Sequence, residues 1–417
     1  MAVRTRIRRL ALRVALGALA ALYSAPARGQ DAAQPKPDEK PTFDIYGFVM
    51  LDVGQNFKQI DPNWFDTLRV TRLPKSEKEF GENDSSFASV RQTRFGVKSS
   101  TPVEHFGALK TIFEFEMFGT GVDEGQTTIR LRHAWGELGK VGAGQYWSPF
   151  TDPDAFPNSL EYWGPTGIAW YRNVQFRYTP VDDGYNTFMI ALERPGASGD
   201  QGNYANRIEL SGIKARFPMP DATVAYRIKH EFGYFRFAAQ IREINWDDTV
   251  ADQYDLSGSA RGWGINLSSG LNLGKAKKDV LHLAVVFGEG IENAMNDSPV
   301  DIGIKTNSSD PVKPLLGTPL PIVGTHIFLD HTWNKRFTST VGYGRQDIKN
   351  SNGQAPDAFH VGQYALGNVL YSPAPNAMMG GELQWGRREN NSDGFHSDGL
   401  KFQFSFKYNF AAHLGGQ

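Results

Sequence analysis

A chain of 417 residues with no cysteine has no disulfide framework, no thiolate metal site and no cysteine nucleophile. Its formal net charge of −1 gives no global field that would attract nucleic acid. Beyond the first 29 residues no apolar run reaches the roughly 18 needed for a transmembrane helix, while 12% aromatics and 44 glycines suit a protein built of strands.

The chain opens with Arg4, Arg6, Arg8, Arg9 and Arg13, followed by the apolar run VALGALAALY and the small residues Ala25, Ala27 and Gly29. A charged segment, a short apolar segment and small residues before a cleavage point predict a secretory signal peptide over 1–29. Residues 30–42, with three prolines, read as a short periplasmic lead-in. Phe43 to Gly54 is the first predicted strand. Asn56 to Ser86 is long, charged and rich in turn formers, and reads as an extracellular loop. From there strands alternate with short turns on one side, such as Gly139–Gly142 and Gly274–Asp279. Long connections lie on the other, such as Ser148–Gly167 and Gly290–Pro321.

Both ends of a single-chain bacterial barrel lie in the periplasm, so the strand number is even. Assigning Arg207 to Phe217 to an extracellular excursion leaves about 16 strands. The predicted fold is all-β: a transmembrane antiparallel up-and-down barrel over 43–410, followed by a periplasmic tail over 411–417. Localisation in the outer membrane of a Gram-negative cell follows from the export signal and the barrel.

A period of two sorts the side chains. Phe95 and Val97, Phe113, Phe115 and Met117, Phe235, Phe237 and Ile241, Trp263, Ile265 and Leu267, and Leu281, Leu283, Val285 and Phe287 are expected to face lipid. The last strand is the clearest: Phe402, Phe404, Phe406, Tyr408 and Phe410 alternate with Lys401, Gln403, Ser405, Lys407 and Asn409. The polar face is too charged for a packed core, so it lines water. The candidate pore-lining residues are Arg94, Lys98, Glu114, Glu116, Arg130, Arg132, Arg177, Arg227, Lys229, Arg236 and Arg242. Glu114 and Glu116 are expected to form an acidic patch opposing the arginines. Rings of Arg and Lys in a pore favour anions.

The segment Ser148 to Gly167 contains four prolines and is stiff enough to fold into the barrel as a constriction loop, with Asp152, Asp154, Glu161 and Trp163 on it. The aromatics that flank it, Tyr146, Trp147, Tyr162, Trp163, Trp170 and Tyr171, read first as an interface girdle with loop packing. The alternative is a slide for sugars or aromatic acids. Arg91 and Arg172 read as rim residues for lipopolysaccharide phosphates. No Ser/His or Asp/His pair shares a strand face in a catalytic arrangement, so no enzyme, catalytic residue, metal or cofactor is expected. The alternatives to an anion channel are a general or sugar-selective porin and, less favoured, a barrel enzyme.

The stretches RQTRFGVKS (Arg91–Ser99), RLRHAWGELG (Arg130–Gly139) and GQYWSPFTDPDAFPNSLEYWGPTG (Gly144–Gly167) resemble the DcaP-like outer-membrane porins. The resemblance is strongest from Phe43 to about Pro180. It implies a 16-stranded homotrimer that passes small anionic solutes, dicarboxylates or related organic acids, with Arg94, Arg130 and Arg132 in the constriction. Outer-membrane lipid, lipopolysaccharide and the barrel assembly machinery are the further partners expected of an outer-membrane barrel. Members with an N-terminal coiled coil differ from this chain, whose lead-in has no heptads.

Overall fold

The computed structural model describes residues 40–195 and 207–415. The signal-peptide segment 1–29 and most of the lead-in lie outside the described residues. Sixteen antiparallel strands form the barrel: β1 Thr42–Asn56, β2 Arg94–Val103, β3 Gly107–Phe118, β4 Thr127–Leu138, β5 Val141–Trp147, β6 Arg172–Asp182, β7 Asn186–Glu193 and β8 Asp221–His230. They continue with β9 Gly233–Asp248, β10 Gly258–Leu273, β11 Asp279–Glu289, β12 Pro321–Thr332, β13 Phe337–Ile348, β14 Phe359–Ala374, β15 Ala377–Asn390 and β16 His396–Gly415. Each pairs with the next, and β16 returns to β1, so no edge remains. Closure satisfies every ladder hydrogen bond where no water is available.

The excursion expected at Arg207 to Phe217 lies outside the barrel ladder, because β7 pairs directly with β8 from Glu193↔Asp221 onward. Within it Ile213–Arg216 adds a short strand to the far end of β9. The expected tail over 411–417 is corrected: Ala411 to Gly415 continue β16, pairing with Tyr46 to Thr42. The aromatic Phe410 therefore does not end the barrel, since the backbone beyond it still finds partners on β1.

The wall is inside-out relative to a water-soluble protein. On β16 Phe402, Phe406 and Tyr408 are exposed while Lys401, Gln403 and Ser405 are fully buried. The same holds for exposed Phe113 beside buried Glu114, and for exposed Phe237 beside buried Arg236. Apolar side chains outside meet hydrocarbon, and polar ones inside are covered by protein that enters the lumen. Leu267→Arg is expected to cost about 2–4 kcal/mol, because its side chain points into the bilayer; lowered urea midpoints on refolding into vesicles would register it. Its neighbour Asn266 points inward but donates to the Phe150 carbonyl at 2.7 Å, so it holds the inner segment rather than lining open water.

Three segments enter the lumen. Leu68, Val70 and Leu73, between β1 and β2, pack with Phe150, Ala169 and Tyr171, between β5 and β6, and with Ile291, Ala294 and Met295, between β11 and β12, in one buried apolar cluster. The barrel wall is cut away to receive them. A Cβ at Gly399 would lie 2.6 Å from Leu68, and one at Gly344 would lie 2.3 Å from the Thr166 carbonyl oxygen. Only glycine permits that approach.

Candidate functional site

The segment 148–167 runs along the inner wall and is fastened to one strand after another. Asp152 accepts from Tyr234 at 2.8 Å and Ser268 at 2.6 Å. The carbonyls of Asp154 and Ala155 meet the rings of His282 at 3.0 Å and His326 at 2.8 Å. Asn368 donates to the Asn158 carbonyl at 2.9 Å. Glu382 on β15 accepts from the Leu160 and Glu161 amides at 2.8 and 3.0 Å, and Glu161 forms an ion pair with Lys401 at 2.6 Å. The segment thus follows β9 to β16, and its Tyr162 reaches back to β3 and β4.

On the β2–β4 wall the register places opposite charges side by side: Arg94 faces Glu116 across β2–β3, and Glu116 faces Arg130 across β3–β4. A bulge at Arg132 then shifts the β3–β4 register between Glu114 and Phe115. The extra residue breaks the alternation, so that both Arg132 and His133 are buried. Arg132 spans the two carboxylates, with Nε 2.6 Å from Glu114 and Nη1 2.8 Å from Glu116. Arg94 reaches Glu116 at 3.1 Å and Arg130 reaches it at 3.6 Å. Tyr162, from the inner segment, donates to the same carboxylate and lies stacked on Phe118 at 3.8 Å. Arg172 packs over Trp147 at 5.4 Å nearby.

The expectation of a separate acidic patch is therefore corrected. Glu114 and Glu116 are interleaved with the arginines and neutralise part of their charge. Three guanidinium groups, those of Arg94, Arg130 and Arg132, share two carboxylates, an excess of one positive charge in this cluster. It faces a cavity of about 650 Å³. Arg69 lines the same cavity, held between Trp64 and Trp163 at 4.1 and 4.2 Å and fixed by Asp297 at 2.8 Å, and Trp163 also carries Arg130 at 5.8 Å. Burial lowers the Arg69 value below that of a free guanidinium, against the pull of Asp297. Arg72, Arg207 and Lys407 also line the cavity.

Of the remaining sequence candidates, Trp163 lines the cavity and the others lie elsewhere. Arg236 donates to the Pro149 carbonyl, and Arg242 bridges Asp221 at 3.0 Å and Asp301 at 3.1 Å, so both fasten inner segments. Arg227 pairs with Asp154 and covers the Tyr234 ring at 3.7 Å. Arg177 covers Trp135 at 4.5 Å, and Lys98 lies 4.8 Å from the Tyr46 ring. Lys229 is exposed near the end of β8. Trp163 donates to the Asn296 carbonyl at 2.9 Å.

Three further expectations are corrected. Trp147, Tyr162, Trp163, Trp170 and Tyr171 turn into the cavity rather than forming a lipid-interface girdle, because the segment they flank folds inward. Arg91 is buried against Asp66 at 2.7 Å and over Phe118 at 3.8 Å, so it holds no lipopolysaccharide. Arg172 is buried too and lines the cavity. Arg69 and Arg72 escaped detection because Asn56 to Ser86 read as a solvated loop. The signal was present in Leu68, Val70 and Leu73, which are too apolar for a loop in water.

Glu292, on the third inner segment, is fully buried, and neither carboxylate oxygen is hydrogen-bonded among the described residues. Burial first and Asp301 second push its carboxyl well above the usual range, against Arg207 and Arg242. A raised folded value gives stability that is complete below the unfolded value of about 4.3 and is lost as pH rises through the folded one. Glu292→Gln is therefore expected to flatten the alkaline fall in melting temperature. A scan from about pH 5 to about pH 9 would show this, and parallel curves for parent and variant would contradict it.

The model of the DcaP outer membrane protein family matches residues 6–289. The chain belongs to that family. The crystal structure of the outer membrane channel DcaP of Acinetobacter baumannii superposes with a TM-score of 0.71 at 18% identity, covering 89% of this chain and 98% of that one. An anion-selective porin from Comamonas acidovorans gives a TM-score of 0.55 at 11% identity, over 89% and 100% of the two chains. OmpT of Vibrio cholerae in a trimer form gives 0.53 at 12%, again over 89% and 100%. Among curated proteins, none matches the sequence significantly. This DcaP-family chain is an outer-membrane porin, a channel and not an enzyme.

Proposed function

We propose that this porin admits small organic anions, dicarboxylates and related acids above all. The observation that supports the reading is the excess of guanidinium over carboxylate among Arg94, Arg130, Arg132, Glu114 and Glu116, with Arg69 and Arg72 lining the same cavity. Guanidinium binds carboxylate through two parallel hydrogen bonds, and a solute with two carboxylates engages two such groups at once. Release requires weak binding, so block in the millimolar range is expected. The Comamonas acidovorans neighbour, described as anion-selective, agrees with this reading. The tryptophans beside the arginines favour, within the same class, anions with a flat apolar body. Assembly as a homotrimer after removal of residues 1–29, contact with lipopolysaccharide and insertion by the barrel assembly machinery complete the proposal. The trimer form of OmpT supports the first of these.

The test is the reversal potential in a salt gradient, with dicarboxylate block recorded in the same bilayer. Arg94→Ala with Arg130→Ala is expected to lower the anion-to-cation permeability ratio about thirty-fold, from Coulomb terms of roughly 1 kcal/mol for each of the two charges. Lys58→Ala, which removes an exposed charge outside the cavity, serves as the control. A double variant that matches the parent in both ratio and block would remove the main support for anion selectivity.

A further inference from the structure

The lipid-facing wall of β8–β11 carries a depression. Ser269 stands outward on β10 yet is buried, its hydroxyl donating to the Tyr234 carbonyl at 2.6 Å. In register beside it lie Phe235 on β9 and Leu283 on β11, and Tyr226, Phe237 and Val285 complete the rim. One small side chain among bulky neighbours leaves a groove of about 440 Å³ with almost wholly apolar walls. In hydrocarbon such a groove is filled, because an empty one forfeits the dispersion contacts of its lining.

What fills it is indicated by its surroundings. Along β10 and β11 the Ser269–Leu283 pair is followed, four residues on, by Leu273–Asp279, a distance of roughly 13 Å at ~3.4 Å per residue. The turn beyond carries Lys275, Lys277 and Lys278, all exposed. Lys277 is tied to the neighbouring turn by donating to the Glu231 carbonyl at 2.8 Å. The ammonium groups of Lys275 and Lys278 have no partner among the described residues. The next such turn adds exposed Lys335 and Arg336. Of the acids nearby, Glu231 is exposed and Asp279 is paired with His331 at 2.5 Å. Short turns of this kind are periplasmic. Exposed Phe232 and Trp333 beside them mark the membrane interface on that side.

We infer that this face binds one anionic glycerophospholipid of the periplasmic leaflet, with an acyl chain in the Ser269 groove and the phosphate on Lys275 and Lys278. A lysine at the interface extends its stem along apolar surface and keeps its ammonium among headgroups. Lipopolysaccharide is in the wrong leaflet for these lysines. A second copy of the chain is disfavoured, because a symmetric contact would bring two such lysine turns together without counter-charge.

The test is native mass spectrometry of the detergent-purified porin titrated with phosphatidylglycerol, phosphatidylethanolamine or phosphatidylcholine. Phosphatidylglycerol is expected to be retained at one per chain and at least five-fold more strongly than phosphatidylcholine. The triple variant Lys275→Gln, Lys277→Gln, Lys278→Gln, confined to an exposed turn, is expected to abolish that preference while leaving conductance unchanged. Ser269→Leu, which fills the groove, is expected to weaken retention of all three lipids; the triple variant is the safeguard should this one fold poorly. Equal retention of phosphatidylglycerol and phosphatidylcholine, unaltered by the lysine changes, would overturn the inference. So would a chain-to-chain crosslink formed efficiently through Leu283→Cys, which would assign the face to a second copy.

Discussion

Arg132→Ala is expected to lower the anion-to-cation permeability ratio of this porin about five-fold and to destabilise its barrel at the same time. The side chain lies between Glu114 and Glu116, hydrogen-bonded to both, and all three groups are nearly buried. Removing it leaves two carboxylates close together, with Arg94 and Arg130 as the remaining counter-charges. Breaking a buried ion pair by deleting one partner typically costs about 3–5 kcal/mol, since the surviving charge stays desolvated. The same change takes a unit positive charge from the cavity wall, worth roughly 1 kcal/mol to a passing anion at an intermediate dielectric, or about five-fold in permeability ratio. Arg132→Lys keeps the charge but loses the fork that spans two acceptors. It is therefore expected to retain selectivity and lose stability. Reversal potentials and urea unfolding in vesicles separate the two effects. If Arg132→Lys lost selectivity as fully as Arg132→Ala, geometry rather than charge would govern the passage.

Legibility in the sequence followed the physics of each signal. Alternation is local, so the faces of Phe402 and Lys401, or of Phe113 and Glu114, could be read directly from neighbouring residues. Arg94, Arg130 and Arg132 came from the same rule. It could not reveal the bulge, because which strand absorbs an extra residue depends on its partner's register. Long-range packing was the harder part. An arginine at a strand end looks the same whether it meets lipopolysaccharide or, like Arg91, a buried aspartate 25 residues earlier in the chain. The inward fold of 148–167 was suggested by its prolines. The inward fold of Leu68 to Leu73 was hidden by the charged residues around it, and its marks lay far along the chain, in glycines such as Gly399.

The inner segment's own attachment gives the second large effect. Lys401 and Glu161 are both fully buried, 2.6 Å apart, and Lys401 also donates to the Asp66 carbonyl. It thereby joins two inner segments to β16. Glu382 holds the adjoining amides of Leu160 and Glu161, with Asn368 and Gln384 donating to it at 2.8 and 2.7 Å. Lys401→Met is expected to cost about 3–5 kcal/mol, because a buried carboxylate is left without its cation. The cheapest relief is withdrawal of the segment from the wall, so single-channel conductance should rise and fluctuate. Lys401→Met with Glu161→Gln removes both charges and is expected to recover most of the loss, a coupling that the double-mutant cycle measures directly. Acid should help the single variant as well. Burial already pushes the Glu161 carboxyl up while Lys401 pulls it down, so deleting Lys401 raises it further. A group with a raised folded value contributes stability below its unfolded value and loses it as pH rises through the folded one. Lys401→Met should therefore behave most like the parent at acid pH and diverge towards alkaline pH, while the double variant shows no such divergence. Conductance traces of Lys401→Met that stay open and noisy at every pH would show that the segment is released by lost packing rather than by the bare carboxylate.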